Sequence, residues 1–480
     1  MWWAAAFAVA AVSLGLRASL LLTRPLWHDE RFTVWTARQP ASALVEVLRE
    51  DSGPPLFYLL EKAVLSAAGP RLPLEGAARA VSFLATFLLL PFASGLPRRT
   101  RPVFILLVSS FALVNLYAAE ARAYALLALL SLSIFRLVHE GPESRSRLAL
   151  LAAAGTAALY THYLAIFAVL AAAATALAAG RRRSAAACLV AFALFAPWVP
   201  IVSEQPSAAT AWMRESAGAT LVGWISAFGG VGRIPAPFGA ALAGGLVAAG
   251  MLAGLFLAWA AAGAARRDPG AFSALLFVAF ALGAAALASL FRPLAFAGRS
   301  EMAVLPVWIW ACARASGERR IARAAAAGAS ALGILATLLV ATSPHPIDTA
   351  GVALRRLYTL TRPGDALIAG PGFYLAARLA VESGELPVRV DALPAGDARH
   401  PGWFVAAPPG PAEEAEVARA MEGLPPDARL FLLLPPSHAT PGIMATLSSR
   451  GVVRELVRQA DAVLLVWSPV AHERWRKNQT

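Results

Sequence analysis

Long apolar segments recur through the first two thirds of the chain, from Trp2 to Val340. Most have about 20 residues, the length that a helix needs to cross the hydrocarbon core of a membrane. Backbone within that layer must satisfy its own hydrogen bonds, so each segment should be a helix. Hydrophobic residues make up 58% of the chain and charged residues 15%, whereas soluble domains are about half apolar and about a quarter charged. The sequence therefore predicts a polytopic α-helical membrane protein.

The arginines of the chain lie mainly in short loops between the apolar segments. A formal net charge of +13 by itself would suggest nucleic-acid binding. Basic loops at the ends of spans are instead typical of the cytoplasmic face of a membrane protein. We therefore expect the basic loops to interact with membrane lipids and not with nucleic acid. The basic loops are Arg98–Arg101, Arg145–Arg147, Arg181–Arg183, Arg266–Arg267 and Arg314–Arg323.

If all five basic loops face the cytoplasm, the apolar segments between them must cross in pairs. This rule predicts eleven spans, a cytoplasmic N-terminus and an external C-terminus. The apolar stretch Pro55–Ala68, interrupted by Glu61 and Lys62, is left as a short interfacial helix. The predicted spans are Trp2–Leu22, Ala77–Leu96, Pro102–Tyr117, Arg122–His139, Leu148–Tyr160, Tyr163–Ala179, Ala185–Val202, Phe238–Ala262, Phe272–Phe291, Met302–Ala313 and Ala324–Ala341.

The long apolar segments end at about Ser343. This change predicts a membrane domain, 1–342, and an extracytoplasmic domain, 343–480. Short apolar runs there alternate with charged helical patterns, which predicts a small α/β domain. The Gly370-Pro371-Gly372 turn lacks the third glycine and the acidic partner of a nucleotide-binding loop. Expected strands are Asp365–Ala369, Trp403–Ala407, Leu430–Leu434 and Ala462–Trp467, and expected helices are Leu375–Glu382, Ala412–Met421 and Ile443–Ser449.

The predicted topology gathers the unusual polar residues at the outer ends of the spans. Charged groups at membrane depth are costly and usually line a cavity or meet a partner. Residues that are distant in sequence could therefore meet in one external cavity. They are His28, Asp29 and Glu30 in the first outer loop, Glu120 and Arg122 in the next turn, His162 and Tyr163 in the third, and Arg299 with Glu301 in the fifth.

Each of these residues also has a structural alternative. Asp29 and Glu30 could be solvated loop residues or a helix cap, and Glu120 could stabilise a helix dipole. Arg122 could reach lipid headgroups, and His162 could be an ordinary interfacial residue. Arg299 fits such an alternative less well, because an arginine at an outer span end opposes the general charge bias.

At these residues the chain resembles the GT-C glycosyltransferases of the bacterial protein-mannosyltransferase and aminoarabinose-transferase group. The resemblance covers most of the membrane part. Arg31 and Ala119 depart from the family pattern, which has a small residue and a glutamine there. The motifs that carry the resemblance are Leu26-Trp27-His28-Asp29-Glu30, Gly53-Pro54-Pro55-Leu56-Phe57-Tyr58, Tyr117-Ala118-Ala119-Glu120-Ala121-Arg122, Leu159-Tyr160-Thr161-His162-Tyr163 and the stretch from Arg299 to Pro306.

The resemblance implies transfer of a sugar from a polyprenyl-phosphate carrier to a lipid, glycan or protein acceptor at the outer face of the plasma membrane. A carboxylate would remove the proton of the acceptor hydroxyl, and fixed cations would stabilise the leaving phosphate. Some relatives use a divalent metal, and no other cofactor is implied. The implied roles are Asp29 as base with Glu30 assisting, Glu120 near the donor sugar, Arg122 and Arg299 on the phosphate, and His28, Tyr124, His162 and Tyr163 lining the cavity.

A transporter or flippase for lipid-linked sugars is the main alternative function. It would place polar groups on both sides of the membrane midplane, often within an inverted internal repeat. The sequence contains no evident repeat, and its polar groups gather at one end of the spans. A scaffolding protein with an external binding domain would give no reason for charged motifs in several separate outer turns.

Overall fold

The structure, a computed structural model, describes residues 2–206, 215–232, 239–317, 320–342, 350–401, 408–459 and 462–469. The chain forms two compact units. The first unit contains Met1–Arg24 and Thr36–Pro344, and the second contains Pro25–Trp35 and His345–Thr480. The short segment Pro25–Trp35, which carries the acidic motif, therefore belongs to the same unit as the C-terminal residues.

Each predicted span overlaps at least one helix of the first unit, but Pro102–Tyr117 and Ala185–Val202 are each divided between two α-helices. The helices are α1 (Trp2–Thr23), α2 (His28–Arg38, shared with the second unit), α3 (Ala41–Arg49), α4 (Leu56–Ala68), α5 (Leu74–Phe87), α6 (Arg101–Ser110), α7 (Ala112–Ala118), α8 (Tyr124–His139), α9 (Arg145–Thr161), α10 (Ala165–Ala178), α11 (Arg182–Phe195), α12 (Val199–Glu204), α13 (Ala217–Phe228), α14 (Ala240–Ala265), α15 (Pro269–Ser289), α16 (Leu305–Ser316) and α17 (Arg320–Thr342). The polytopic α-helical prediction is confirmed.

Six helical segments within the described ranges are long and apolar enough to cross a membrane. The pair α6 and α7 passes the same test together, although the two helices are bent by 62°. Several other predicted spans correspond to shorter helices, such as α8 and α10. Length and composition therefore support six or seven crossings, and eleven stays a prediction.

The bend between α6 and α7 lies at Phe111, whose backbone is extended (φ −62°, ψ 126°). In a continuous helix, the Ala112 N–H would donate to the Val108 carbonyl. Here the Ala112 N–H donates to the Gly230 carbonyl at 2.9 Å, and the Val108 carbonyl accepts from the Arg17 guanidinium at 3.0 Å. This N–H and this carbonyl, which would pair with each other in an unbroken helix, thus each have another partner, as an apolar environment requires.

Arg17 belongs to a buried polar network that joins three helices of the first unit. Its Nε donates to the Asn115 side-chain oxygen at 2.8 Å, and the Ser13 hydroxyl donates to the same oxygen at 2.8 Å. The Asn115 side-chain nitrogen donates to the Thr337 hydroxyl at 3.1 Å. This network connects α1, α7 and α17, so it fixes the bent pair in place.

The second unit contains one five-stranded sheet with strand order β2-β1-β3-β5-β4. β1 pairs in parallel with β2 and β3, whereas β5 pairs antiparallel with β3 and β4. The α/β prediction for this part of the chain is therefore confirmed. The strands are β1 (Ala366–Ala369), β2 (Arg389–Ala392), β3 (Leu430–Leu434), β4 (Gly451–Arg458) and β5 (Val463–Pro469), and the helices are α18 (Ala350–Leu360), α19 (Tyr374–Glu382), α20 (Pro411–Glu422) and α21 (Pro441–Ser448).

Three of the expected strands, close to their predicted bounds, are β1, β3 and β5. The expected strand Trp403–Ala407 lies outside the described residues. The sequence did not predict β2 and β4, which are the two edge strands and are largely half-buried or exposed. Edge strands carry charged residues that blunt further pairing, and these charges weaken the apolar pattern on which a strand prediction depends.

Candidate active site

Tyr124, the first residue of α8, is the centre of an aromatic and cationic cluster in the first unit. Its buried ring lies 4.6 Å from the Tyr117 ring and 4.9 Å from the His162 ring, measured between centroids. The guanidinium carbon of Arg299 lies 5.8 Å from the Tyr124 ring centroid, within the range of a cation–π contact. The structure therefore brings together residues from three of the predicted outer turns.

Glu120 and Arg122 lie in the turn between α7 and α8. The Arg122 N–H donates to the Glu120 carbonyl at 2.8 Å, and the Ser82 hydroxyl donates to the Arg122 carbonyl at 3.0 Å. Glu120 is close enough to act electrostatically on Tyr117, and Arg122 acts in the same way on His162. Because α8 begins only at Tyr124, Glu120 is not in the first turn of a helix, which removes the helix-dipole alternative.

His162 lies in the turn between α9 and α10, with its ring against Tyr124. The Leu164 N–H donates to its Nδ1 at 3.1 Å, so the proton of the neutral ring is on Nε2. Burial, followed by the positive charges of Arg122 and Arg299, lowers the pKa of His162 to about 3. His162 is thus a neutral hydrogen-bond donor at physiological pH, and two guanidinium groups are close enough to act on it electrostatically.

Arg299 follows a glycine turn and precedes a short 3-10 helix, Ser300–Ala303. Gly298 has a φ of +91°, a conformation that glycine adopts without strain. The Arg299 guanidinium carbon lies 5.8 Å from the Phe296 ring as well as 5.8 Å from the Tyr124 ring. The two aromatic rings therefore define where this guanidinium lies.

Tyr163 has a different setting from that of its neighbour His162. Its hydroxyl donates to the Gln205 side-chain oxygen at 2.9 Å and accepts from the Trp198 indole at 3.1 Å. The Gln205 side-chain nitrogen donates in turn to the Leu48 carbonyl at 2.7 Å. These contacts connect the third outer turn to the segment that precedes the Gly53-Pro54-Pro55 motif.

His28, Asp29 and Glu30 form the first turn of α2 within the second unit. The Trp27 N–H donates to the Glu30 carboxylate at 3.2 Å, the contact by which an acidic third residue caps a helix. Glu30 is fully buried, whereas Asp29 is half-buried. The cap alternative therefore describes Glu30, and Asp29 is the carboxylate with more access to solvent.

The acidic motif packs against the C-terminal part of the chain. The Phe32 ring lies 5.2 Å from the ring of His400, with both residues in the second unit. Both rings are almost fully buried. The sequence did not indicate that the first outer loop and the C-terminal domain are a single unit.

The His, Cys, Asp and Glu side chains of the described ranges are the possible ligands of a metal ion. No group of three or more His, Cys, Asp and Glu side chains in those ranges is placed to hold a metal ion. No residue is therefore assigned to the divalent metal that the resemblance leaves possible.

Two site residues were quoted in the motifs but received no role from the sequence. Tyr117 contributes a ring to the cluster, and Glu301 is fully buried beside the Arg299 turn. Both contact the backbone of Gly298. A carboxylate at the start of an apolar segment was the available signal for Glu301, whereas an aromatic residue in an apolar run gives none.

Two crystal structures of ArnT from Cupriavidus metallidurans, one in the apo state and one bound to undecaprenyl phosphate, are similar to this chain. The apo structure gives a TM-score of 0.62 at 15% identity, and the match covers 96% of this chain and 97% of that chain. The second gives 0.61 at 14% identity over the same shares. No protein-family model matches the chain, and no curated protein sequence matches it significantly. The chain therefore has the fold of these ArnT structures, which belong to one of the groups that the sequence resembles.

Proposed function

We propose that this protein is a membrane glycosyltransferase that moves a sugar from a polyprenyl-phosphate carrier to an acceptor hydroxyl at the outer face of the plasma membrane. The observation that carries the proposal is the convergence of Arg122 and Arg299 on His162 within an ArnT-like fold. Guanidinium groups bind phosphate through paired, charge-assisted hydrogen bonds. The similar structure that is bound to undecaprenyl phosphate supports a carrier of this class.

In the proposed reaction, the acceptor hydroxyl attacks the anomeric carbon of the donor sugar. A bond forms between the acceptor oxygen and that carbon, and the bond from the carbon to the phosphate oxygen breaks. The electron pair of the broken bond stays on the carrier phosphate, where Arg122 and Arg299 stabilise it. Asp29 accepts the proton of the attacking hydroxyl.

The two carboxylates of α2 have separate tasks in this proposal. Glu30 is buried and accepts a hydrogen bond from the Trp27 N–H, so it stabilises the first turn of the helix. Asp29 is half-buried on that same turn, which suits a group that must meet a substrate. Glu120 positions the donor sugar or assists the base. Tyr124 and His162 line the phosphate region, where neutral His162 offers its Nε2 proton.

The test of the base is Asp29→Asn in purified, reconstituted protein that is given labelled polyprenyl-phosphate sugars and membrane extract. Loss of a general base lowers the rate by about a hundredfold to ten-thousandfold. Asp427→Asn is the matched control, because Asp427 is exposed elsewhere in the second unit. Full activity of Asp29→Asn would remove the base assignment.

The test of the phosphate site is Arg299→Ala. Loss of one electrostatic contact to the developing charge lowers the rate by on the order of a hundredfold. Arg183→Ala, at an exposed position, is the matched control.

Wild-type protein that moves the lipid-linked sugar across the membrane of vesicles without forming a glycosylated product would support the transporter alternative instead.

A further inference from the structure

Both backbone hydrogen-bonding groups of Gly298 are held by residues that have no role in the reaction proposed above. We propose that Tyr117 and Glu301 are positioning residues that fix the backbone of Gly298 and thereby orient the Arg299 guanidinium toward the carrier phosphate. The inference rests on the proposed function, because it assumes that Arg299 binds phosphate. It adds two residues that do not touch the substrate.

Glu301 holds one backbone group of Gly298, the amide. The Gly298 N–H donates to both carboxylate oxygens, at 2.9 Å and 3.0 Å. The Glu301 side chain is fully buried, and a buried carboxylate is unfavourable unless it is hydrogen-bonded. The short return from residue 301 to residue 298 needs the positive φ of Gly298.

Tyr117 holds the other backbone group of Gly298, the carbonyl in the peptide bond to Arg299. Its hydroxyl donates to the Gly298 carbonyl, and its ring packs 4.6 Å from the Tyr124 ring. The Tyr124 ring in turn contacts the Arg299 guanidinium. Tyr117 therefore connects to Arg299 by two routes, one through the backbone of the turn and one through an aromatic ring.

The residues on either side of Gly298 are also held. The Ala297 N–H donates to the Glu215 carboxylate at 3.1 Å, and the Trp224 indole donates to the Ser300 hydroxyl at 2.9 Å. The Ser300 hydroxyl donates to the Phe296 carbonyl at 2.9 Å. The turn that carries Arg299 is thus held by hydrogen bonds at each residue from Phe296 to Ser300.

Glu301→Gln and Tyr117→Phe test the inference with little change in size. Glutamine has one oxygen acceptor and a second nitrogen donor, so it cannot accept the Gly298 N–H with both atoms. Phenylalanine keeps the ring and loses the hydroxyl. Each variant should weaken the binding of polyprenyl phosphate, titrated without sugar, by on the order of tenfold, the typical effect of one hydrogen bond.

Combining each change with Arg299→Ala separates positioning from a merely structural role. If Tyr117 and Glu301 act through Arg299, neither change should weaken binding further in the Arg299→Ala background. Tyr374→Phe and Glu382→Gln are matched controls, because these residues contact Arg378 in the second unit, and neither should alter binding.

Three results would overturn the inference. Equal losses in the wild-type and Arg299→Ala backgrounds would show that the two residues act independently of Arg299. Unchanged binding in both single variants would show that the Gly298 contacts do not matter. Unchanged binding in Arg299→Ala would remove the phosphate assignment itself, a failure of the proposed function that the first two results do not share. If Glu301→Gln does not fold, Tyr117→Phe alone completes the cycle.

Discussion

Gly254 of α14 lies where the helix meets α13, and a side chain has no room there. A Cβ atom at Gly254 would lie 2.3 Å from the Ile225 carbonyl oxygen and 3.1 Å from the Gly229 nitrogen. Even a weak carbon–oxygen contact needs about 3.3 Å, so the helices would have to separate by about 1 Å. Forcing extra volume into a packed interface costs about 1–3 kcal/mol. Gly254→Ala should destabilise the protein by that amount.

The same helix supplies the control. A Cβ at Gly245 of α14 would meet no atom within 4 Å. Alanine is a better helix former than glycine by about 1 kcal/mol in water. Gly245→Ala should therefore be neutral or slightly stabilising, and the two identical substitutions should have opposite effects.

The assay is the melting of purified protein in detergent at one scan rate, because membrane proteins often unfold irreversibly. The two variants should melt on opposite sides of the wild-type protein. Gly254→Ala should also weaken binding of polyprenyl phosphate, since α13 carries Trp224 to the Ser300 hydroxyl beside Arg299. Equal melting temperatures for Gly254→Ala and Gly245→Ala would refute the close approach of α13 and α14.

Three further predictions follow from titratable groups. His162 has a pKa of about 3, so its ring is neutral between about pH 5 and 8. His162→Gln should therefore change the transfer rate but leave the shape of the pH–rate profile in that range unchanged. Loss of the acidic or the basic limb of the profile would contradict this. Burial raises the pKa of Glu301 to about 7. Between the ordinary glutamate pKa and about pH 7, the native state therefore keeps this proton whereas the unfolded chain has released it. The contribution of Glu301 to the free energy of unfolding should fall as the pH rises through this range. Asp365→Asn should destabilise the sheet by about 3 kcal/mol, because it leaves the Arg429 guanidinium without its counter-charge. Hydrogen exchange of the β1 and β3 amides measures this loss. Unchanged exchange rates would refute the prediction.

The apolar helices and the α/β character of the C-terminal part were predictable, because apolar length and the alternation of strands with helices are local properties of the sequence. The break at Phe111 was not. Its stability depends on Arg17 and on the Gly230 carbonyl, which are far away in the chain and replace the lost helical hydrogen bond. The edge strands β2 and β4 were missed for a related reason, because their pairing depends on partner strands rather than on their own pattern.

Part of the candidate site was also predictable. Arg122, His162 and Arg299 are polar residues at the ends of apolar segments, and the structure brings them together around Tyr124. The contribution of Glu301 could not be predicted, because it depends on the conformation of the Gly298 peptide. The capping role of Glu30 could have been predicted more firmly, since it lies three residues after Trp27, as a helix-capping pair requires.

The second unit contains two segments that are distant in the sequence, and this limits how many times the chain between them can cross the membrane. Pro25–Trp35 and His345–Thr480 pack into one compact body, so they must lie on the same side of the bilayer. The chain between them therefore crosses an even number of times. The six long segments within the described ranges leave five candidate crossings after Trp35, an odd number that one crossing more or one fewer makes even, and the bent pair α6–α7 is long enough to supply one more. Any revision of the predicted eleven spans must add or remove crossings beyond Trp35 in pairs.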